Sequence, residues 1–358
     1  MFAPFTLNRG KMNLMAAVVL AGLGSVAQAT EVKIPDTTIT ASLRTSFVYT
    51  DVDKAPSTAD FSLNSLSVYL NSKITDKIAF SLSTEYDPAT QNIQVQDAVA
   101  QFEFAPGHNL WAGRMLAPTD RANSYGAYFS NNWNFATDGT QDGYPFIAFG
   151  RADGVTYWTD LADKKLKISA GLFDIPTTKN NNDVMSALRV QYDFWDAEPG
   201  YYLNGTYLGE KDILAIAAAT NMVGSKKTTD IDFLMEKKVG DGGAFTVEGE
   251  YIVYDKLGGY DANFSEGNSF YLLSSYLIPG KIGPGKVQVL GKFGSTQYEK
   301  GLTADYDQDT TEFNLNYILK SFNAKLSLFA KDTAFSKTAP VGKADNMQIG
   351  VGIQLMTL

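Results

Sequence analysis

The sequence has no cysteine and only one histidine, His108, among its 358 residues. Without cysteine, the chain cannot be a secreted domain stapled by disulfide bonds. With one histidine and no thiolate, a transition-metal site is not expected. An enzyme would need a nucleophile beside a base, and the sequence shows no such constellation. We therefore expect no enzyme activity, no cofactor and no bound metal.

An excess of positive charge and long apolar runs are also missing. The chain contains 30 lysines and arginines against 39 aspartates and glutamates, for a net charge of −9. Such an acidic chain lacks the basic surface that nucleic-acid binding requires, so nucleic acid is excluded as a partner. Beyond the N-terminus no apolar run is long enough for a transmembrane helix, and the mean hydropathy of −0.14 is that of a soluble protein.

The N-terminus has the features of a secretory signal peptide. Arg9 and Lys11 precede the apolar run "MNLMAAVVLAGLGSVAQAT", which ends in the small-residue site Ala27-Gln28-Ala29. A basic region, a short apolar region and such a site together define a cleavable signal peptide. The run is shorter than the roughly 20 residues that a spanning helix needs. We predict that residues 1–29 are removed during export and that residues 30–358 form the mature protein.

Apolar and polar residues alternate with a period of 2 through most of this mature chain. In "TTITASLRTSFVYT" (37–50), Ile39 and Leu43 fall on one face, and Thr40 falls on the other. The segments "VMSALRVQYDF" (184–194) and "TEFNLNYILK" (311–320) repeat the pattern. Strands of about ten such residues cross a bilayer, whereas strands of soluble sheets usually have about five or six. In lipid, only a closed barrel of strands pairs every backbone group.

The predicted fold is therefore all-β: a transmembrane antiparallel β-barrel with a polar, water-filled lumen. Its short connections are predicted periplasmic turns, at 75–76, 105–108, 160–165, 239–243 and 320–323. Its long connections are predicted outer loops, at 51–60, 115–149, 174–183, 255–267, 298–309 and 332–344. Short and long connections should alternate along the chain, and residues 196–211 interrupt this alternation. Treating them as a periplasmic excursion gives 16 strands, with 18 as the alternative.

The stretch at about 115–149 follows a short strand without any regular period. It is rich in aromatic residues and asparagine, and glycines interrupt it. A structureless segment of this length inside a compact domain is usually a functional loop. By the strand count it is the third outer loop, and we predict that it folds into the lumen, where its aromatic residues can dock on the inner wall.

Four segments resemble the porin O and P–like family of bacterial outer-membrane channels, which is named for its phosphate-selective members. They are "WAGRMLAPTDRANSYGAYFSNNW" (111–133), "LGEKDILAI" (208–216), "DGGAFTVEGEYIVYD" (241–255) and the terminal strand "MQIGVGIQLMTL" (347–358). The resemblance implies a 16-stranded barrel, usually a homotrimer, with a constriction at the inward loop. Phosphate selectivity would need clustered lysine and arginine, and Arg121 is the one base in 115–149.

Charged residues on the predicted lumen face are almost balanced, so no strong ion preference is expected. The lumen-facing bases are Arg44, Lys73, Lys77, Arg114, Lys167, Arg189, Lys286, Lys292, Lys320, Lys325 and Lys331. The lumen-facing acids are Glu85, Asp97, Glu103, Asp193, Asp232, Glu236, Glu248, Glu250 and Glu312. We predict that the pore constriction is formed by Arg44, Arg114, Asp120, Arg121, Tyr125, Tyr128 and Arg189.

The leading functional hypothesis is an outer-membrane porin, a passive channel for small hydrophilic solutes or ions. Its partners would be the lipid bilayer, lipopolysaccharide and, by the resemblance, two further copies of the chain. A second hypothesis is a barrel that sheathes a periplasmic electron-transfer or export partner, which would need a wide lumen. A third is an exported, soluble β-sandwich that binds a ligand, against which the strand length argues.

Overall fold

The computed structural model describes residues 36–87, 90–134, 150–174, 184–256, 266–300, 304–336 and 338–357. The predicted signal peptide (1–29) and the second half of the predicted inward loop (135–149) lie outside the described residues. From Thr37 onward the chain forms one compact unit, which is a barrel.

Sixteen antiparallel strands of the described chain close into this barrel, so the count of 16 is confirmed over 18. Consecutive strands are neighbours, and β1 pairs with β16 to complete the ring. Closure leaves the sheet without an edge, so its backbone groups can be paired in lipid. The strands are β1 Thr37–Val52, β2 Thr58–Lys73, β3 Ile78–Asp87, β4 Asn92–Ala105, β5 His108–Leu116, β6 Arg151–Leu161, β7 Leu166–Asp174, β8 Val184–Asp193, β9 Ile213–Val223, β10 Lys226–Val239, β11 Gly243–Asp255, β12 Glu266–Leu277, β13 Lys286–Glu299, β14 Tyr306–Lys320, β15 Ala324–Phe335 and β16 Asn346–Met356.

Helical structure in the described residues is confined to the connection between β5 and β6. It consists of one short helix, α1 (Arg121–Tyr125), followed by a 3₁₀ turn, Ala127–Phe129. In the part of the chain that is described, no helix has the length and apolarity needed to span a membrane. Both elements belong to the predicted third outer loop, and they mark where its chain bends inside the barrel.

The predicted alternation sets the two faces of the barrel. Leu188 on β8 and Leu315 on β14 are 42% and 46% exposed, whereas Gln191 and Asn314 on the same strands are 0% and 4% exposed. Large apolar side chains therefore cover the outward face, and polar side chains face the lumen. The burial of Gln191 and Asn314 also corrects one expectation. At these positions the lumen is filled by protein rather than by water.

The connections alternate between the two rims as predicted, but their lengths do not. On the rim predicted to be outer, only four residues separate β3 from β4 and only two separate β9 from β10, whereas eight residues separate β12 from β13 on the rim predicted to be periplasmic. Residues 196–211 contain no strand, which confirms the predicted parity. They do not extend into the periplasm, however. Tyr201 and Leu203 of this segment are buried, and the Tyr201 ring packs against Trp111 on the lumen wall.

Arginine placed on the outward face should block membrane assembly. Leu188→Arg and Leu315→Arg each put a charge against lipid, at a cost of about 2–4 kcal/mol near the bilayer midplane. Gln101→Arg is the matched control, because Gln101 is half-buried on the lumen face of β4 and should tolerate the change. Assembly is measured as heat-modifiable gel mobility of the membrane fraction. Equal yields of the three variants would contradict the assignment of faces.

The orientation of the barrel is testable with inserted epitopes. A tag within 55–57, in the connection between β1 and β2, should bind antibody on intact cells, because this connection lies on the rim that is predicted to be outer. A tag at Asp163, in the turn between β6 and β7, should bind antibody only after the outer membrane is permeabilised. The reverse pattern would show that the two rims have been exchanged.

Candidate functional site in the barrel lumen

The connection between β5 and β6 turns into the lumen directly after Leu116. Residues 119–125 are all buried. Asp120 caps α1, and its carboxylate accepts hydrogen bonds from the backbone N–H and the side-chain amide of Asn123, each at 2.8 Å. Burial raises the pKa of this carboxyl group. The cap satisfies a helix N–H that would otherwise be buried without a partner, and so fixes how the chain enters the barrel.

Arg121 is the centre of a buried ion-pair network. It is 0% exposed, and its guanidinium donates to the two carboxylate oxygens of Glu198 at 2.5 and 3.1 Å. It also lies 3.6 Å from Asp232, which Arg189 holds on its other side at 2.5 and 2.9 Å. Burial lowers the pKa of Arg121, but attraction to Glu198 and Asp232 outweighs burial and raises it overall. The network ties α1 to β8, to β10 and to the segment 196–211.

Two tyrosines anchor the loop to distant parts of the wall. The Tyr125 hydroxyl donates to Glu248 on β11 at 2.7 Å, and Tyr271 on β12 donates to the same carboxylate at 2.5 Å. The Tyr128 hydroxyl forms a 2.7 Å hydrogen bond with Ser65 on β2. In the closed strand order, β2 and β11 are almost opposite each other. The loop therefore crosses the lumen between these two anchors.

Asparagines attach the next part of the loop to β12, β13 and β14. The Asn131 side chain donates to Ser275 at 3.0 Å and accepts from Gln288 at 2.8 Å. The Asn132 amide donates to Glu312 at 3.1 Å. These wall side chains are buried under the loop, where each needs a hydrogen-bond partner. An amide supplies both a donor and an acceptor, which explains why asparagine is used here.

Trp133 completes the contact at β15, β16 and β1. Its indole stacks on Phe329, with ring centroids 5.9 Å apart. Gly352 leaves room for it, since a Cβ at that position would lie 2.4 Å from the indole ring. Arg44 lies over the same indole at 4.1 Å and donates to the Trp133 carbonyl at 2.6 Å. This cation–π contact holds the Arg44 side chain against the loop, away from the open part of the lumen.

Residues 196–211 form a second inward segment, which meets the loop from the periplasmic rim. The Leu203 N–H donates to the Ser124 carbonyl at 3.3 Å, and the Gly205 N–H donates to the Phe129 carbonyl at 3.0 Å. A Cβ at Gly205 would lie only 3.1 Å from that carbonyl oxygen, so glycine permits the close approach. Backbone hydrogen bonds therefore join the two inward segments directly.

Aromatic packing fixes this second segment against the β5 and β6 wall. The ring centroid of Tyr201 lies 4.9 Å from that of Trp111 and 6.1 Å from that of Trp158. The Tyr201 hydroxyl donates to the carbonyl of Leu116 at 2.6 Å, at the point where the loop leaves β5. The two inward segments and this wall thus pack as one unit.

Arg114 does not belong to this unit. It pairs with Asp153 at 2.7 Å, and their side chains are 44% and 61% exposed. Trp111 is buried on the lumen face of β5. Because side chains alternate along a strand, Arg114, three residues later, points outward. Asp153, its cross-strand partner, shares the outward face with the exposed Val155. The prediction that Arg114 lines the constriction is corrected: it lies on the outside of the barrel.

The other predicted constriction residues lie inside the barrel and contact the inward segments or the wall beneath them. None of them is more than 5% exposed: Arg44, Asp120, Arg121, Tyr125, Tyr128 and Arg189. Their side chains are occupied by the contacts described above. They therefore hold the loop in place rather than face a solute.

The partly exposed region of the lumen is bordered by other residues. On the side of the inward segments they are Ala127, Phe129 and Tyr202, and Tyr202 is 43% exposed. On the wall side they include Glu85 on β3 and Asp97 on β4, both partly exposed. This region is the candidate path for a solute.

Hydroxyl groups and one arginine hold the carboxylates of this path. Ser65 donates to Glu85 at 2.5 Å, and Ser67 donates to the other oxygen of the same carboxylate. Asp97 accepts from Arg151 at 2.9 Å. Ser65 also contacts Tyr128, so Glu85 lies level with the part of the loop that reaches β2.

The sequence prediction missed Glu198, Tyr202 and Arg151 as site residues. Glu198 and Tyr202 lie in the segment that was interpreted as a periplasmic excursion. One signal was available, since "YYLNGTY" (201–207) shares the aromatic, asparagine and glycine content of 125–133 and also lacks a period of 2. Arg151 carried no such signal, because its inward contact arises where β6 begins.

Solved structures of outer-membrane proteins are similar to this chain. OprB of Pseudomonas putida aligns over 90% of this chain and 94% of its own, at 10% identity and a TM-score of 0.62. An anion-selective porin from Comamonas acidovorans aligns over 90% and 99%, at 13% identity and a TM-score of 0.60. A trimer form of OmpT, an outer membrane protein of Vibrio cholerae, aligns over 90% and 99%, at 15% identity and a TM-score of 0.56. No protein-family model and no curated protein sequence matches the chain.

The closed barrel, its apolar outward face and these neighbours define the class of protein. The chain is a bacterial outer-membrane barrel with the architecture of a porin. At 10–15% identity the likeness is one of fold. The narrower resemblance to the porin O and P–like family is supported only at the level of that porin-like fold.

The Arg121–Glu198 ion pair should couple the two inward segments energetically. Removing either partner leaves the other charge buried, so Arg121→Ala and Glu198→Ala should each destabilise the barrel, by up to about 3–5 kcal/mol. The double variant should lose less than the sum, with a coupling energy of about 0.5–3 kcal/mol. Urea unfolding in detergent micelles measures these free energies.

The Lys237–Asp212 pair at the periplasmic rim is the control, because its lysine is 55% exposed. Its coupling energy should be below about 1 kcal/mol. Additive losses at Arg121 and Glu198 would show that the pair does not join the segments.

Proposed function

We propose that this protein is a porin, a passive diffusion channel for small hydrophilic solutes or ions. One observation carries the proposal: the loop 117–134 crosses the lumen and docks on the wall, which leaves the partly exposed region beside β2–β5 as the path. A barrel that conducts through a narrowed lumen needs a rigid inward element that is held by the wall. The hydrogen bonds from Arg121, Tyr125 and Tyr128 provide that rigidity.

The same observation disfavours a sheath around a periplasmic electron-transfer or export partner. A sheath needs a lumen wide enough to admit another chain. Two inward segments of the described chain are packed into this lumen and hydrogen-bonded to each other through Leu203 and Gly205. The closed transmembrane barrel likewise leaves no place for the soluble β-sandwich hypothesis.

The placement of the bases gives no support to phosphate as the solute. Arg121, the one base of 115–149, is fully buried between Glu198 and Asp232. Arg114 is outside the barrel. Neither can replace the hydration shell of an anion in the path.

We also propose that the barrel lies in the bilayer beside lipopolysaccharide as a homotrimer. Arg114 and Asp153 form an exposed ion pair on the outward face, among apolar residues such as Val155. Charges are costly against lipid, and contact with a second copy would remove the pair from lipid. A similar solved structure, OmpT, is described in a trimer form.

Deletion of the loop should widen the channel. A variant that lacks residues 123–140 should still form a folded, heat-modifiable barrel, because the strand pairing does not involve these residues. Its single-channel conductance in planar bilayers should rise several-fold, since the element that crosses the lumen is gone.

A deletion of residues 338–341 is the control, because they lie in the outer connection between β15 and β16. It should leave the conductance unchanged. If the loop deletion folds and conducts like the parent, the loop does not restrict the path. If the intact protein shows no conductance, the proposed function itself fails.

A further inference from the structure

Basic side chains on the covered side of the lumen are held by contacts with the loop or with the wall. Arg44 stacks on the loop indole. Lys325 donates to the carbonyl of Ser130 at 3.2 Å. Lys292 lies 4.6 Å from the ring centroid of Tyr271. The exposed fraction is at most 5% for Arg44, Arg121, Lys167, Arg189, Lys292 and Lys325. These positive charges are therefore withdrawn from a solute in the path.

Acidic side chains remain on the open wall. Glu85 on β3 and Asp97 on β4 are partly exposed. Away from the two rims, Arg151 is the only partly exposed lumen-facing base among the residues that the structure describes, and it is paired with Asp97 at 2.9 Å. The wall of the path therefore carries an excess of negative charge.

We propose that this wall makes the channel prefer small cations over anions, with Glu85 as the residue that sets the preference. The inference rests on the proposed channel function and names its solute class. Ser65 holds Glu85 at 2.5 Å and also contacts Tyr128 of the loop at 2.7 Å. The carboxylate is thus fixed inside the lumen, at the level where the loop reaches β2.

Two physical effects favour cations at this level. A carboxylate beside a narrow aqueous space acts on passing ions with little screening, so it raises the local concentration of cations and lowers that of anions. The hydroxyl oxygen of the partly exposed Tyr69 on the same wall can replace part of the water around a cation. An anion finds few donors there, because the serine hydroxyls already donate to Glu85 and Asp97.

The fold alone does not fix the sign of this preference. A porin described as anion-selective aligns with 90% of this chain. The sequence also predicted no preference, because it counted every lumen-facing charge equally. The inward segments bury most of the lumen-facing bases, so these bases do not act on a solute. The acids of β3 and β4 are not covered in this way.

Reversal potentials test the proposal in the conducting protein. In planar bilayers with a potassium chloride gradient, the parent should pass potassium in preference to chloride. Glu85→Gln should lower the permeability ratio by about twofold or more, since one charge beside the path is removed. Asp163→Asn removes one equal charge from a periplasmic turn and should leave the ratio unchanged. A parent that prefers chloride, or a ratio that Glu85→Gln does not change, would overturn the proposal.

Cysteine labelling tests the same field without requiring conductance. The chain has no cysteine, so Ser81→Cys places a single thiol on the lumen side of β3. In the detergent-solubilised barrel, a cationic methanethiosulfonate should react faster than an anionic one of similar size. Adding Glu85→Gln should reduce the ratio of the two rates about twofold or more.

The two measurements separate the possible failures. If the barrel does not conduct but the cationic reagent still reacts faster, the proposed function fails and the assignment of a cation-attracting wall stands. Equal rates, or a faster anionic reagent, would refute that wall whether or not the barrel conducts.

Discussion

Backbone hydrogen bonding in a medium without water is the constraint on which the whole structure depends. Each N–H and C=O group that faces lipid without a partner costs several kcal/mol, so the sheet must close. Closure through β1 and β16 then assigns every second side chain to the lipid and the rest to the lumen. The polar lumen is thus a consequence of the apolar surroundings, and the modest mean hydropathy reflects the average of two very different faces.

A polar lumen imposes a second requirement on any segment that folds into it. Wall groups such as Glu248, Asp232 and Gln288 lose water when the loop covers them, and each must then find a partner. The loop provides these partners through the Tyr125 hydroxyl, the Arg121 guanidinium and the Asn131 amide. Its aromatic, asparagine-rich composition follows from this role, because such side chains can pack and form hydrogen bonds at the same time.

Local rules predicted the fold well and the site only in part. The alternation of apolar and polar residues, the strand length and the order of the connections predicted the 16 strands. The lack of any regular period near 115–149 predicted the inward loop. Alternation shows which residues of a strand share a face, but one residue must be known to face lipid or lumen before the others can be assigned. On β5 that residue is Trp111, whose face is known only from the structure, and Arg114 was therefore assigned to the wrong face. The inward turn of 196–211 was missed because its contacts with Ser124 and Phe129 are distant in sequence. Burial of individual lumen charges depends on those same distant contacts.

The meeting of the two inward segments separates two roles that the sequence could not distinguish. Arg121, Glu198 and Asp232 are charged, yet they form ion pairs with one another in the interior of the packed unit. Glu85 and Asp97 remain beside the proposed path because the inward segments cover the opposite wall. Any change that shifts the inward segments would therefore alter both the width of the path and the set of charges that face it. In the proposed channel, bore and ion preference are coupled through the same contacts, so neither can be assigned from a count of charged residues along the strands.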